Sequence, residues 1–214
     1  MISKGIILLK LEKDWHESKV LMVERQYTYG YIDYIRSGPK MTNKDFTTKV
    51  LSETTQKERT RLLIEPFKDL WFSVNSKGYK AYREEIFEKV RSKWWFKSFL
   101  QKDYKEPMWE FPKGRSNKDE DDITTALREL KEETSIESGF RLTEQKIEHT
   151  IFDRGIFPLL YFVATTDKEL ALNKDCIDKI EISDVKWIKI EDLKNLNGGE
   201  LALNLLKLCD INNN

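Results

Sequence analysis

Gly114-Arg-Ser-Asn-Lys-Asp-Glu120 is followed, after seven further residues, by Arg128-Glu129-Leu130-Lys131-Glu132-Glu133-Thr134-Ser135-Ile136. At ~3.6 residues per turn, Ile123, Ala126, Leu127 and Leu130 lie within about 100° of one another, which predicts a helix over 121–134 with one side on a core. Glu129, Glu132 and Glu133 then share another face. Carboxylates at i, i+3 and i+4 repel, at roughly 0.2–0.5 kcal/mol per pair, so something positive should offset them. An acidic helix face is ordinarily solvated and salted by neighbours such as Arg128 and Lys131. Three carboxylates following a glycine loop fit a hard divalent cation better, because such ions take oxygen ligands.

Outward from this helix, Ile6 to Leu11 and Lys19 to Gln26 are rich in β-formers and flank a charged turn at Asp14 to Ser18, the pattern of a hairpin. Strand character returns at Met108–Phe111, Leu159–Thr165 and Val185–Ile190, with one helix between the first two of these. From Thr42 to Gln101 the spacing is helical: Leu62/Leu63, Phe67 and Leu70/Trp71 repeat at three and four residues, as do Tyr82, Ile86/Phe87, Val90 and Trp94. At least two helices are expected there, and as many as three. Gly199–Leu208 is apolar at helical spacing and ends in INNN, which is expected to fray. The organisation predicted is a mixed α/β core of residues 1–35 and 104–214, interrupted by a helical insertion over 36–103.

A chain of 214 residues has room for one cored domain with a sizeable insertion. With 39% apolar and 12% aromatic residues, a packed core is affordable, which argues against wholesale disorder. No run approaches the ~18 apolar residues of a membrane span, so an intracellular, cytoplasmic protein with two reduced thiols, Cys176 and Cys209, is expected. The net charge of zero conceals a polarity. Residues 36–103 carry 16 Lys+Arg against 9 Asp+Glu, and 104–214 carry 16 against 23. A basic segment within an acidic frame suits an enzyme that gathers cations at one place and grips a polyanion at another. His16 and His149 stand apart from any motif and are expected to play ordinary structural or surface roles.

The stretch quoted above resembles the Nudix box: Gly114, Glu120, Arg128, Glu129, Leu130, Glu132, Glu133 and Ile136 all stand at that family's offsets. Ser135 departs from it, standing where the family has a helix-ending glycine, which puts the geometry of the following loop in question. The resemblance implies an α/β/α sandwich around a mixed sheet and a diphosphate hydrolase dependent on Mg²⁺ or Mn²⁺. It makes Glu129, Glu132 and Glu133 ligands, lends the carbonyl of Gly114 to the metal, and pairs Glu120 with Arg128 as a structural brace.

Trp109-Glu-Phe-Pro-Lys113-Gly114 resembles the entry to the box in mRNA-decapping Nudix enzymes, where Lys113 would neutralise a bridging phosphate. Glu181-Ile-Ser-Asp-Val-Lys-Trp187 resembles the strand of those enzymes whose opening glutamate serves as general base or auxiliary ligand. Met41-Thr-Asn, Glu58-Arg, Phe67-x-x-Leu70-Trp71 and Lys93-Trp94-Trp95 look similar to the helical insertion of decapping proteins from large DNA viruses of the African swine fever virus type.

The function so implied is cleavage of the RNA 5′-cap to 7-methylguanosine diphosphate and 5′-monophosphate RNA, with Glu181 or Glu132 taking the proton. Capped mRNA would be the partner, in the cytoplasm of a host if the chain is viral. The basic insertion would bind RNA through Lys89, Arg91, Lys93, Trp95 and Lys97, since lysines and arginines meet phosphates and aromatic rings stack on unpaired bases. Trp71 lies on an apolar stripe and is expected in the insertion's own core, whereas Trp94 and Trp95, being adjacent, cannot both face it. Two other readings stay open: a Nudix diphosphatase of diphosphoinositol polyphosphates or soluble nucleotides, and a Nudix fold that binds RNA without catalysis.

Overall fold

Ile6 to Leu9 are apolar without interruption, as in a strand covered on both faces. In the computed structural model, which describes residues 2–74, 78–100, 105–152 and 155–209, they form the centre of β1 (Ser3–Lys10) and all four are fully buried. On one flank, β6 (Ile156–Thr166) runs parallel to β1 from Ser3↔Leu159 to Lys10↔Thr166. The other flank is shared. β4 (Lys113–Arg115) pairs antiparallel with the first residues of β1, and β2 (Lys19–Arg25) with the last. β3 (Trp109–Glu110) and β7 (Ile182–Lys189) pair with β2, and β5 (Arg141–Phe152) edges β6, giving a mixed sheet of seven strands among the described residues.

The period of two along β1 assigns its side chains to the two faces. Ile6 and Leu8 pack with Ala126 and Leu130 of α7 (Asp122–Thr134). Ile7 and Leu9 pack with Ala202, Leu205 and Leu206 of α8 (Gly199–Leu206). A helix on each face of a mixed sheet makes the α/β/α sandwich expected. β4 and β5 are the strands that the pattern did not announce: β4 has three residues, and on β5 only Ile147 is buried, so neither carries a hydrophobic alternation. Residues 210–214, including the INNN tail, lie outside the described residues.

The chain divides into two units, Met1–Arg25 with Met108–Asn214, and Gln26–Pro107. The division falls at 25/26 and 107/108 rather than at 35/36 and 103/104. At the first of these, α1 (Tyr29–Arg36) places Tyr31, Tyr34 and Ile35 in the second unit's apolar cluster. That unit is built of α1, α2 (Lys44–Leu51), α3 (Gln56–Ile64), α4 (Phe67–Ser73), α5 (Ala81–Arg91) and α6 (Trp94–Leu100), and among the described residues of the Thr42–Gln101 stretch there are five helices where as many as three were expected. Each has only 7 to 11 residues, so neighbouring apolar stripes blur into one periodicity. The side chains of Thr28, Asn43 and Thr55 cap α1, α2 and α3.

Trp71 is 3% exposed and stands in this core beside Phe67, whose ring lies 5.0 Å from that of Phe87. The Glu58–Arg59 pair is buried as well. Glu58 forms a capping box with Thr55, whose amide it accepts, and also accepts the amide of Thr28, while Arg59 Nε donates to Thr54 Oγ1.

Candidate active site

Asp121 starts α7 by accepting Thr124 N at 2.7 Å, and Ala126 and Leu130 anchor its apolar side. With the helix so oriented, Glu129, Glu132 and Glu133 project together to differing depths: Glu132 exposed, Glu129 half-buried, Glu133 buried. Arg128 organises them. Its Nη1 is 2.7 Å from both Glu129 Oε1 and Glu132 Oε2, while Nε and Nη2 hold Glu120 at 2.8 and 3.1 Å, and Nη2 also donates to Arg115 O. The guanidinium and the amide of Asn117 hold the Glu120 carboxyl down at about 2. Glu120 thus bridges the loop and the helix through its ion pair with Arg128.

Gly114, on β4, lies under Glu129. A Cβ there would come within 2.0 Å of Glu129 Cδ, so only glycine lets that carboxylate rest against the strand backbone. One residue earlier, the amide of Lys113 donates to Glu133 Oε2 at 2.9 Å. The ammonium of Lys113 pairs with Glu110 at 2.7 Å, and Arg25 pairs with the same carboxylate at 2.9 Å. Burial pushes the Glu110 carboxyl up, but its two cations more than reverse this and hold it at about 2. Glu133 has the opposite outcome. Burial, reinforced by the negative charges of Glu110 and Glu129, pushes its carboxyl well above the usual range against the pull of Lys113. Glu129 is also raised, by burial first and by the charges of Glu132 and Glu181 against that of Arg128.

Glu181 is exposed immediately before β7, where it adds to the negative potential on Glu129. The structure therefore brings Lys113, Gly114, Glu129, Glu132, Glu133 and Glu181 to one locality, with Glu120 and Arg128 at its edge. Arg25 and Glu110 belong to it as well. The sequence signal for Glu110 was its place in Trp109-Glu-Phe-Pro-Lys113, three residues before the lysine it pairs with. Arg25, eighty-five residues from its partner, had none.

Among the described residues no three His, Cys, Asp or Glu side chains are gathered as a metal cluster. The donor set nevertheless fits a hard cation. Two carboxylates already converge at 2.7 Å on a single cationic nitrogen, and a third is buried beside them. Mg²⁺ typically needs only one or two carboxylates, keeping water for the remainder of its octahedron.

In the helical unit, Lys89, Lys93 and Trp95 line a hollow of about 330 Å³ together with Thr42, Val90 and Ser92. Lys89, Lys93 and Lys97 make no ion pair among the described residues. Arg91 is different. Its guanidinium lies over Phe87, pairs with Glu88 at 2.6 Å and donates to Glu65 O at 2.7 Å, so it braces the unit itself. Of the adjacent tryptophans, Trp95 packs partly against the core with its ring 6.0 Å from that of Phe96, and Trp94 is 77% exposed.

Residues 90–209 match the family model described as NUDIX domain. The mRNA-decapping protein g5R of African swine fever virus (isolate Warthog/Namibia/Wart80/1980) is 25% identical over 224 residues, covering 95% of this chain and 90% of the relative. The mRNA-decapping enzyme subunit 2 of Arabidopsis thaliana is 25% identical over 181 residues, 83% of this chain and 46% of the relative. Among solved structures, a C. elegans Ap4A hydrolase binary complex superimposes with a TM-score of 0.48 at 14% identity, covering 96% of this chain and 93% of the other. Among the described residues no helix is long and apolar enough to cross a membrane.

Proposed function

The chain belongs to the Nudix family, and on that premise we propose that it is a decapping hydrolase, cleaving the diphosphate linkage of capped mRNA to 7-methylguanosine diphosphate and 5′-monophosphate RNA. The observation that carries the chemistry is the convergence of Glu129 and Glu132 on one cationic nitrogen, above Gly114 and beside buried Glu133. Glu129, Glu132, Glu133 and the carbonyl of Gly114 would hold Mg²⁺ or Mn²⁺. The cation supplies activation of water and neutralises charge on the leaving phosphate. Glu181, or Glu132, takes the proton that water loses on attacking phosphorus, and Lys113, steadied by Glu110, presents positive charge to a bridging phosphate.

What supports RNA as the substrate is similarity to viral g5R along 95% of the chain, together with the hollow of Lys89, Lys93 and Trp95. Its volume lies at the lower end for ligand pockets and suits one nucleobase stacked on indole with flanking phosphates on lysine. Lys97 extends the same basic surface. In a cell the substrate places the enzyme in the cytoplasm, that of the host if the chain is viral.

The test is a pair of inhibition constants at one salt concentration, for uncapped RNA and for free cap analogue, during Mn²⁺- or Mg²⁺-supported hydrolysis of cap-labelled RNA. Uncapped RNA should inhibit strongly and cap analogue weakly, because remote contacts with the RNA body supply the binding energy. The reverse order, or turnover of a diphosphoinositol polyphosphate in preference to capped RNA, would refute decapping. Binding of RNA without any turnover would refute catalysis.

A further inference from the structure

Ser135 follows the last residue of α7 with φ 64° and ψ 10°, in the left-handed region, and its amide closes the helix on Lys131 O at 2.8 Å. Glycine takes this conformation without strain and serine does not. The hydroxyl gives what glycine cannot: Ser135 Oγ accepts the amide of Asn173 at 2.8 Å. Asn173 heads a turn, its Oδ1 accepting Asp175 N at 3.1 Å and its carbonyl accepting Cys176 N at 3.0 Å. Ile177 then buries its side chain in the cluster of Ala126 and Leu130. Asp178 N donates to Glu132 O at 2.9 Å, and Asp178 O accepts the amides of Glu181 at 3.1 Å and Ile182 at 2.9 Å. The segment 173–181 is therefore pinned to the last turn of α7 at two points, and Glu181, felt electrostatically by Glu129, stands at its end. One pin is backbone to backbone. The other is a side chain, and it can be removed.

We propose that Ser135 is a positioning residue for Glu181: its hydroxyl holds the 173–181 segment against the catalytic helix and so sets where the glutamate stands. This rests on the reading of Glu181 as the group that receives the proton of the attacking water.

The test is a double-mutant cycle on the full chain, Ser135→Ala with and without Glu181→Gln, run on whichever diphosphate substrate it hydrolyses fastest, so that it does not depend on decapping. Alanine keeps Cβ and the strained backbone and deletes only Oγ. Ser135→Ala should lower kcat about tenfold, modest beside the ~10²-fold that an ångström of misplacement can cost, with KM changed less than twofold. In the Glu181→Gln background the same change should lower kcat less than twofold. Ser135→Asn, which tolerates the left-handed region and offers a carboxamide acceptor, should restore most of the loss. Amide hydrogen exchange at Asn173 should quicken in Ser135→Ala while the thermal midpoint holds.

An equal loss in both backgrounds, no loss in either, or unchanged exchange at Asn173 overturns the proposal. If Glu181→Gln alone leaves kcat intact, the proton-acceptor role falls first and the positioning role with it. That outcome is read from its own arm of the cycle.

Discussion

Gly114→Ala should abolish turnover while leaving the fold in place. The added Cβ would lie 2.0 Å from Glu129 Cδ, and 2.1 and 2.2 Å from its oxygens. Ordinary contact begins at 3.4 Å, so the carboxylate has to retreat by 1.4 Å, the difference between the two distances. A magnesium ligand sits at about 2.0–2.1 Å with little tolerance, so, on the proposed role of Glu129 as a ligand, a shift of that size would take it out of the coordination shell. A misplacement near 1 Å costs on the order of 10²-fold in rate, and kcat should fall by at least that much. Stability should change little. The atoms met are the free end of a flexible side chain, and replacing a strand glycine by alanine returns roughly 0.5–1 kcal/mol of chain entropy.

Steady-state hydrolysis in Mn²⁺ and Mg²⁺, metal titration by calorimetry and a thermal melt measure the three quantities. Because the clash is with Glu129, Gly114→Ala added to Glu129→Ala should cost nothing more than Glu129→Ala alone. Retention of kcat within threefold in Gly114→Ala, or a further large loss in the double variant, would show that the contact with Glu129 is not what the glycine protects.

Glu133→Gln and Glu132→Gln should each remove turnover with the fold intact, measured by kcat beside circular dichroism. Glu133→Gln carries a pH signature in addition. Burial holds the Glu133 carboxyl well above its ordinary range, so the folded state keeps a proton that the unfolded chain releases near pH ~4.3, and wild-type stability declines as pH rises through that window. Glutamine has no proton to lose; denaturant midpoints should show the variant more stable than wild type at pH 8, with the gap closing toward pH 4. Replacing Lys89, Lys93 and Lys97 by Glu should weaken RNA binding and flatten its log-log salt slope, whereas Arg91→Glu should chiefly destabilise the helical unit, since it breaks the bonds to Glu88 and Glu65 O. Equal effects of both changes on affinity and melting would contradict that division.

The interleaving of strand and helix patterns made a mixed α/β core legible, and the sandwich came with the resemblance to the Nudix box; that α7 covers one face of Ile6–Leu9 and α8 the other is a finding of the structure. β4 and β5 stayed hidden for a physical reason: short or edge strands bury too little to leave an alternating pattern. The glutamates on α7 were legible from fixed offsets, which are local. Arg25–Glu110 and Asn173–Ser135 were not, because register and loop docking bring them together, and neither leaves a trace in spacing. Nothing in sequence separates Arg91 from Lys89 and Lys93 either. Only the packing of its guanidinium on Phe87 does.

Glu110 and Glu133, both buried in the same locality, settle on opposite sides of the carboxylate range. Glu110 meets two cations, Lys113 and Arg25, so its charge is neutralised in place and kept. Glu133 receives the backbone amide of Lys113 and a share of the field of its ammonium, while Glu110 and Glu129 repel it. Glu110 therefore shares the field of Lys113 and leaves Glu133 a buried carboxyl short of positive charge, the condition under which a divalent cation would gain most by approaching. Arg128 completes the arrangement. Its Nε and Nη2 are tied to Glu120 and Arg115 O, so only Nη1 has to give way for Glu129 and Glu132 to turn to a metal. On the proposed role of these carboxylates as ligands, uptake would exchange a guanidinium contact for a cation, within a frame that the other charges hold still.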